Sequence, residues 1–184
     1  MGQARRDLTA ALLAGEPAEE LESPAGMRVA AGYVVCAWHV ARPSPPGTAR
    51  STLVRRRRIW GAFDDRFDTT VLTVLDERGG TALIPATAGE SASVLATLRC
   101  FLGELAGIVG APMVASAAVA HSVSAVPDAA QEARGCCSSR CGWHVCRGCT
   151  CSTTWCWRFS WRGRVSPTTG WCSDWLRCGR GTSC

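Results

Sequence analysis

The densest set of possible ligands lies towards the C-terminus of this 184-residue chain: His144, Cys146, Cys149, Cys151 and Cys156. Thiolate and imidazole donors hold Zn2+ tetrahedrally, and Cys146-x-x-Cys149 has the spacing of half such a site. The second Cys-x-x-Cys or paired histidines that would complete a ribbon or finger do not follow. The same cysteines suit a disulfide scaffold, which normally goes with a secretory leader. No leader is read: the short apolar run Leu8 to Ala14 meets Glu16, Glu19, Glu20 and Glu22 rather than a small-residue cleavage site. Arginine and tryptophan interleaved in this segment also suit an arm that binds nucleic acid.

Other chemistry-bearing residues read more plainly. Arg55-Arg56-Arg57-Arg58 points in four directions on a helix, a solvated face rather than a phosphate clamp. His39 and His121 are isolated and read as structural. Cys36 and Cys100 fall in a strand and a helix and read as buried thiols without a His/Asn partner nearby in sequence. Ser91 and Ser93 begin a helix with no nucleophile elbow. There is no glycine-rich phosphate loop, so no catalytic or cofactor-binding residue is assigned and no cofactor is expected.

Composition divides the chain at Arg134-Gly135. Residues 1–135 hold 13 Arg against 14 acidic residues, about −1, with two cysteines. Residues 136–184 hold 7 Arg against Asp174 alone, about +6, with ten of the twelve cysteines and six of the eight tryptophans. The formal charge of +5 therefore belongs to the tail. All 20 basic residues are arginine, which with abundant Ala and Gly suggests a GC-rich coding sequence. Leu105 to Pro127 lacks acids and arginine over a bilayer-spanning length, but Gly110-Ala111-Pro112 breaks it. It reads as a helix end, a turn and a strand, so no membrane partner is expected.

The elements that must position these residues follow from periodicity. Arg5 to Ala14 reads as a helix ended by Gly15, and Ala18 to Leu21 as a short second one opened by Pro17 and ended at Ser23-Pro24-Ala25-Gly26. Met27 to Ala41 is a near-continuous apolar run, suited to a central strand covered on both faces. Ser51 is placed as the N-cap of a helix to Phe63, with Leu53, Ile59, Trp60 and Phe63 on its buried stripe. Val71 to Leu75 and Thr81 to Ile84 read as a hairpin around Asp76-Glu77-Arg78-Gly79-Gly80, the glycines supplying positive φ and Pro85 ending the second strand. Glu90 to Ile108 is an amphipathic helix with Val94, Leu95, Leu98, Phe101, Leu102, Leu105 and Ile108 inward. Met113 to Val119 reads as a strand, and Pro127 to Arg134 as a helix start without an apolar face. This order predicts an α+β fold: a ferredoxin-like, mostly antiparallel sheet with packed helices, over 27–135, preceded by a helical lead-in over 1–26.

Several stretches together resemble PucR/CdaR-type bacterial transcriptional regulators, at their GGDEF-like domain and the helix before it. They are Arg6-Asp7-Leu8-Thr9-Ala10-Ala11-Leu12-Leu13-Ala14-Gly15-Glu16, the strand Val29 to Val40, the hairpin end Leu83-Ile84-Pro85-Ala86, and Ser124-Ala125-Val126-Pro127-Asp128-Ala129-Ala130-Gln131-Glu132-Ala133-Arg134. The resemblance covers about three quarters of the chain. It implies a cytoplasmic regulator of catabolic genes whose C-terminal helix-turn-helix binds DNA, and a domain that serves dimerisation or signal coupling. Active diguanylate cyclases carry Gly-Gly-Asp/Glu-Glu-Phe and an acidic metal ligand on the first strand. Here Thr81-Ala82-Leu83 follows the glycines, and Met27 to Ala41 has no carboxylate, so cyclase chemistry is not expected.

One account covers the tail's composition. Cys and Trp codons begin TG, and in the frame that takes the preceding C or G first they become Leu or Val. Cys149 to Trp157 then permits an acidic-aliphatic reading like the segment before the family's helix-turn-helix. A frameshift near Gly135 is therefore expected, leaving 136–184 as disordered coil. The sequence reads as a non-catalytic regulatory domain, truncated before its DNA-binding module. A homodimer through the α+β domain is expected, DNA binding only in the intact family protein, and no metal. The alternative is a small zinc protein using His144, Cys146, Cys149, Cys151 and Cys156.

Overall fold

The computed structural model describes residues 3–40, 49–67, 70–76, 79–111, 113–138 and 155–159. Helices α1 (Gln3–Ala14) and α2 (Glu19–Ala25) lead into strand β1 (Tyr33–Val40). Then come α3 (Ala49–Phe67), β2 (Leu72–Leu75), β3 (Gly79–Pro85), α4 (Ser91–Val109) and β4 (Met113–Ala120). A single 3-10 turn, Val123–Ala125, precedes α5 (Val126–Ser138), and β5 (Trp155–Phe159) follows. The sheet order is β2-β3-β1-β4-β5, with every neighbouring pair antiparallel. Within it, β1-α3-β2-β3-α4-β4 has the ferredoxin-like arrangement: β3 lies between β1 and β2, and β1 between β3 and β4. The expected α+β fold is what forms.

β1 is central because both of its faces are apolar. Val34, Cys36, Trp38 and Val40 join Ile59 and Phe63 of α3 and Leu95, Leu98, Phe101, Leu102 and Leu105 of α4 in one core. Tyr33, Val35 and Ala37 join Leu8 and Leu12 of α1 and Val126, Ala129, Ala130 and Ala133 of α5 in the other. The strand therefore carries no alternation, as expected of one covered on both sides. The lead-in helix α1 forms a wall of this second core. Aromatic rings tie the first: Trp38 stacks on Phe63 at 5.3 Å, and Phe101 meets Phe63 at 4.7 Å and Phe67 at 5.5 Å, both edge-on.

Several boundaries differ from the sequence reading, each for a local reason. β1 starts at Tyr33 because side chains hold the approach to it: the Val29 N–H donates to Glu22 Oε1 (2.7 Å) and the Ala30 N–H to Tyr33 Oη (2.8 Å). α2 runs through Pro24, and its end is closed by Gly26 N–H to Ser23 O and Met27 N–H to Glu22 O, with Gly26 at φ 64°. These two bonds form a Schellman closure. Ser51 lies inside α3 rather than capping it, and α3 reaches Phe67, whose ring packs on Phe101. α5 does have an apolar face, built of Val126 and alanines, and it passes Gly135 to end at Ser138 with Cys136 buried. Within the tail expected as coil, Trp155–Phe159 forms an edge strand on β4.

Candidate functional site

The hairpin glycines are not where the turn is. Gly79 and Gly80 lie within β3, paired with His39 and Trp38 of β1, and neither has positive φ. The turn is closed instead by Asp76: its N–H donates to Gly79 O (3.1 Å), and its Oδ1 accepts from the Gly79 N–H (2.6 Å). What requires glycine is close approach. A Cβ at Gly79 would lie 1.9 Å from the Trp38 carbonyl oxygen, and one at Gly80 2.5 Å from Cζ2 of its indole. Thr81 and Ala82, which follow the glycines where a cyclase has two carboxylates, and Leu83 after them are at most 4% exposed. Thr81 Oγ1 accepts from Arg134 Nε of α5 at 3.2 Å.

Of the sequence-nominated zinc ligands, His144, Cys146, Cys149 and Cys151 lie outside the described residues. The backbone of Cys156 is placed in β5, opposite Ser116 of β4. Among the described residues no three His, Cys, Asp or Glu side chains come together in a metal-binding group. Cys36 is buried as expected, but Cys100 is exposed, because it falls on the far side of α4 from Leu98, Phe101 and Leu102. His39 is half-buried at the end of β1 and His121 is exposed. In the arginine run, Arg57 and Arg58 are exposed as expected, whereas Arg56 is half-buried. Its Nε, with Nε1 of Trp38 and of Trp60, is buried without a hydrogen-bond partner.

The sequence reading missed a cap on α4. Glu90 Oε2 accepts from the Thr87 N–H (3.1 Å) and hydroxyl (2.7 Å), while Thr87 O accepts from the Glu90 and Ser91 N–H groups and from Ser91 Oγ (2.9 Å). The Glu90-to-Thr87 N–H bond is one arm of a capping box, written in the sequence as Thr87-x-x-Glu90, with the Thr87 hydroxyl turned to the same carboxylate. The Thr87 hydroxyl, then the Thr87 N–H, hold the Glu90 carboxyl below the usual range. On the opposite side of the sheet, burial pushes the Tyr33 hydroxyl above the usual tyrosine value. The Ala30 N–H opposes that rise and the nearby Glu22 charge adds to it.

α4 is long and apolar enough to cross a bilayer by length and composition, but here Leu98, Leu102 and Leu105 are fully buried between α3 and the sheet. The outer surface of the α3/α4 layer is where apolar residues remain in solvent. Arg58, Gly61, Ala62 and Asp65 of α3 and Gly107 and Ile108 of α4 line a shallow groove. Ile108 was expected inward. Val109 takes that place and Ile108 is 36% exposed. A surface of this kind can bind another helix, but it presents no nucleophile or acid/base pair. No family model matches the chain, and no curated protein matches it.

Proposed function

We propose that the α+β domain is a non-catalytic regulatory domain of a PucR/CdaR-like transcriptional regulator, cytoplasmic and acting through dimerisation or signal coupling. In this reading the DNA-binding module is encoded beyond a frame change near Gly135. The observation that carries the non-catalytic part is the packing of the β2–β3 hairpin. Where nucleotide cyclisation would need carboxylates to hold divalent cations, the chain has buried Thr81 and Ala82, and β1 beside them carries no acid. The ferredoxin-like strand order and the docking of α1 on the sheet support the resemblance on which the rest depends.

The deciding experiment is to sequence the gene from genomic DNA across codons 128 to 145 and read onward in all three frames. One inserted or deleted base should restore an open frame ending in a helix-turn-helix. Confirmation of the frame as given, together with stoichiometric zinc that is lost when residues 136–184 are removed, would overturn the proposal in favour of a metal-binding protein.

A further inference from the structure

Among the described residues the two large hydrophobic side chains left exposed are Val54 (46%) and Ile108 (36%), one on α3 and one on α4. Ile108 shares its groove with two helical glycines, Gly61 and Gly107. A Cβ at either glycine would meet nothing within 4 Å, so the chain's own packing does not require them. Glycine within a helix is unfavourable relative to alanine. What small residues permit is the close approach of a second backbone, since the distance between packed helices is set by the side chains at the contact.

Charge says which second backbone fits. Arg58 and Asp65 are both exposed in the same groove, and neither has an ion-pair partner among the described residues. They are seven residues apart, two helical turns on one stripe, with the midpoint between Gly61 and Ala62. Two α3 helices laid antiparallel about a two-fold axis through that midpoint bring Arg58 opposite the partner's Asp65, and Asp65 opposite the partner's Arg58. The small residues then form the seam. The stripe is complementary to itself, which is what an isologous contact requires.

We propose that the outer α3/α4 face, centred on Gly61 and Ala62, is the contact between two copies of this chain. The proposal rests on the dimerisation put forward above and names the surface that performs it. The test is analytical ultracentrifugation of the full chain under reducing conditions, so that disulfides cannot link copies, with Arg58→Asp, Asp65→Arg and the double exchange. Wild type should be a dimer in the micromolar range, each single variant should dissociate roughly tenfold more readily, and the double variant should recover. Circular dichroism on each variant checks that it is folded. A wild-type dimer indifferent to all three variants would overturn this surface while leaving dimerisation intact. A wild-type monomer at about 100 µM would overturn both.

Discussion

Gly80 of β3 lies directly across from Trp38 of β1, and the indole occupies the space that a side chain at position 80 would need. Trp38 is also stacked on Phe63 of α3 at 5.3 Å, so moving the indole away disturbs that contact. At Gly79 the obstacle is backbone, the Trp38 carbonyl, which gives less. Gly79→Ala and Gly80→Ala should each lower stability by about 1–3 kcal/mol, Gly79→Ala by more, as overpacking at a rigid site does. Urea unfolding of the two variants beside wild type measures this. An alanine at 80 that leaves stability unchanged would show that the indole does not fill this space.

Gly135 gives the opposite sign. It lies within α5, three residues before the last helical position, and a Cβ there meets nothing within 4 Å. Gly135→Ala should raise stability by about 0.5–1 kcal/mol through helix propensity alone. The shift in thermal midpoint checks it, and a loss of stability would mean that the helix does not run through this residue.

How much of this was legible in the sequence depended on whether one residue had one possible reason to be there. β1 was readable because Val34, Val35, Cys36 and Trp38 have no polar face to confuse the period. Gly79-Gly80 was misread because adjacent glycines serve equally for positive φ and for close approach, and only the position of Trp38 separates the two. Ile108 and Val109 are neighbours on a helix whose drift decides between them, and sequence spacing leaves that open. The inner face of α5 went unrecognised because alanines at 129, 130 and 133 give little hydrophobic contrast, although on a tightly packed sheet their small size suits the contact. The Thr87-x-x-Glu90 cap was written plainly, but the helix had been started at Glu90 itself. β5 gave no pattern to read, because an edge strand joins through main-chain bonds that many sequences can make.

The cap makes a prediction about acid. Because the folded-state pKa of Glu90 is depressed, its contribution is complete above the ordinary glutamate pKa of about 4.3 and is lost as pH falls from there through the folded value. Glu90→Gln should therefore be less stable than wild type at neutral pH, with the difference closing on acidification. Thermal melts of both proteins from neutral to strongly acidic pH check this. A difference that stays constant with pH would show that the Glu90 charge takes no part. Thr87→Ala removes the hydroxyl that donates to Glu90 and should lower stability in the same direction at neutral pH.

Tyr33 makes the matching prediction in base, and it can be followed without interference because it is the chain's single tyrosine. Its hydroxyl is neutral in the folded protein, 1% exposed, and accepts the Ala30 N–H. Burial raises its pKa, so the unfolded chain ionises first. The stabilising contribution of Tyr33 is therefore full below the ordinary tyrosine pKa of about 10 and is lost as pH rises through the folded value. Tyrosinate absorbance should lag behind that of a free tyrosine and then appear together with loss of structure. Tyr33→Phe leaves the Ala30 N–H without its acceptor and should cost about 1 kcal/mol at neutral pH. That deficit should shrink above roughly pH 10, because only wild type has a phenol to ionise on unfolding. Tyrosinate appearing at the ordinary pKa in a fully folded protein would place Tyr33 in solvent, and the anchor between the α2–β1 connection and the sheet would have to be sought elsewhere.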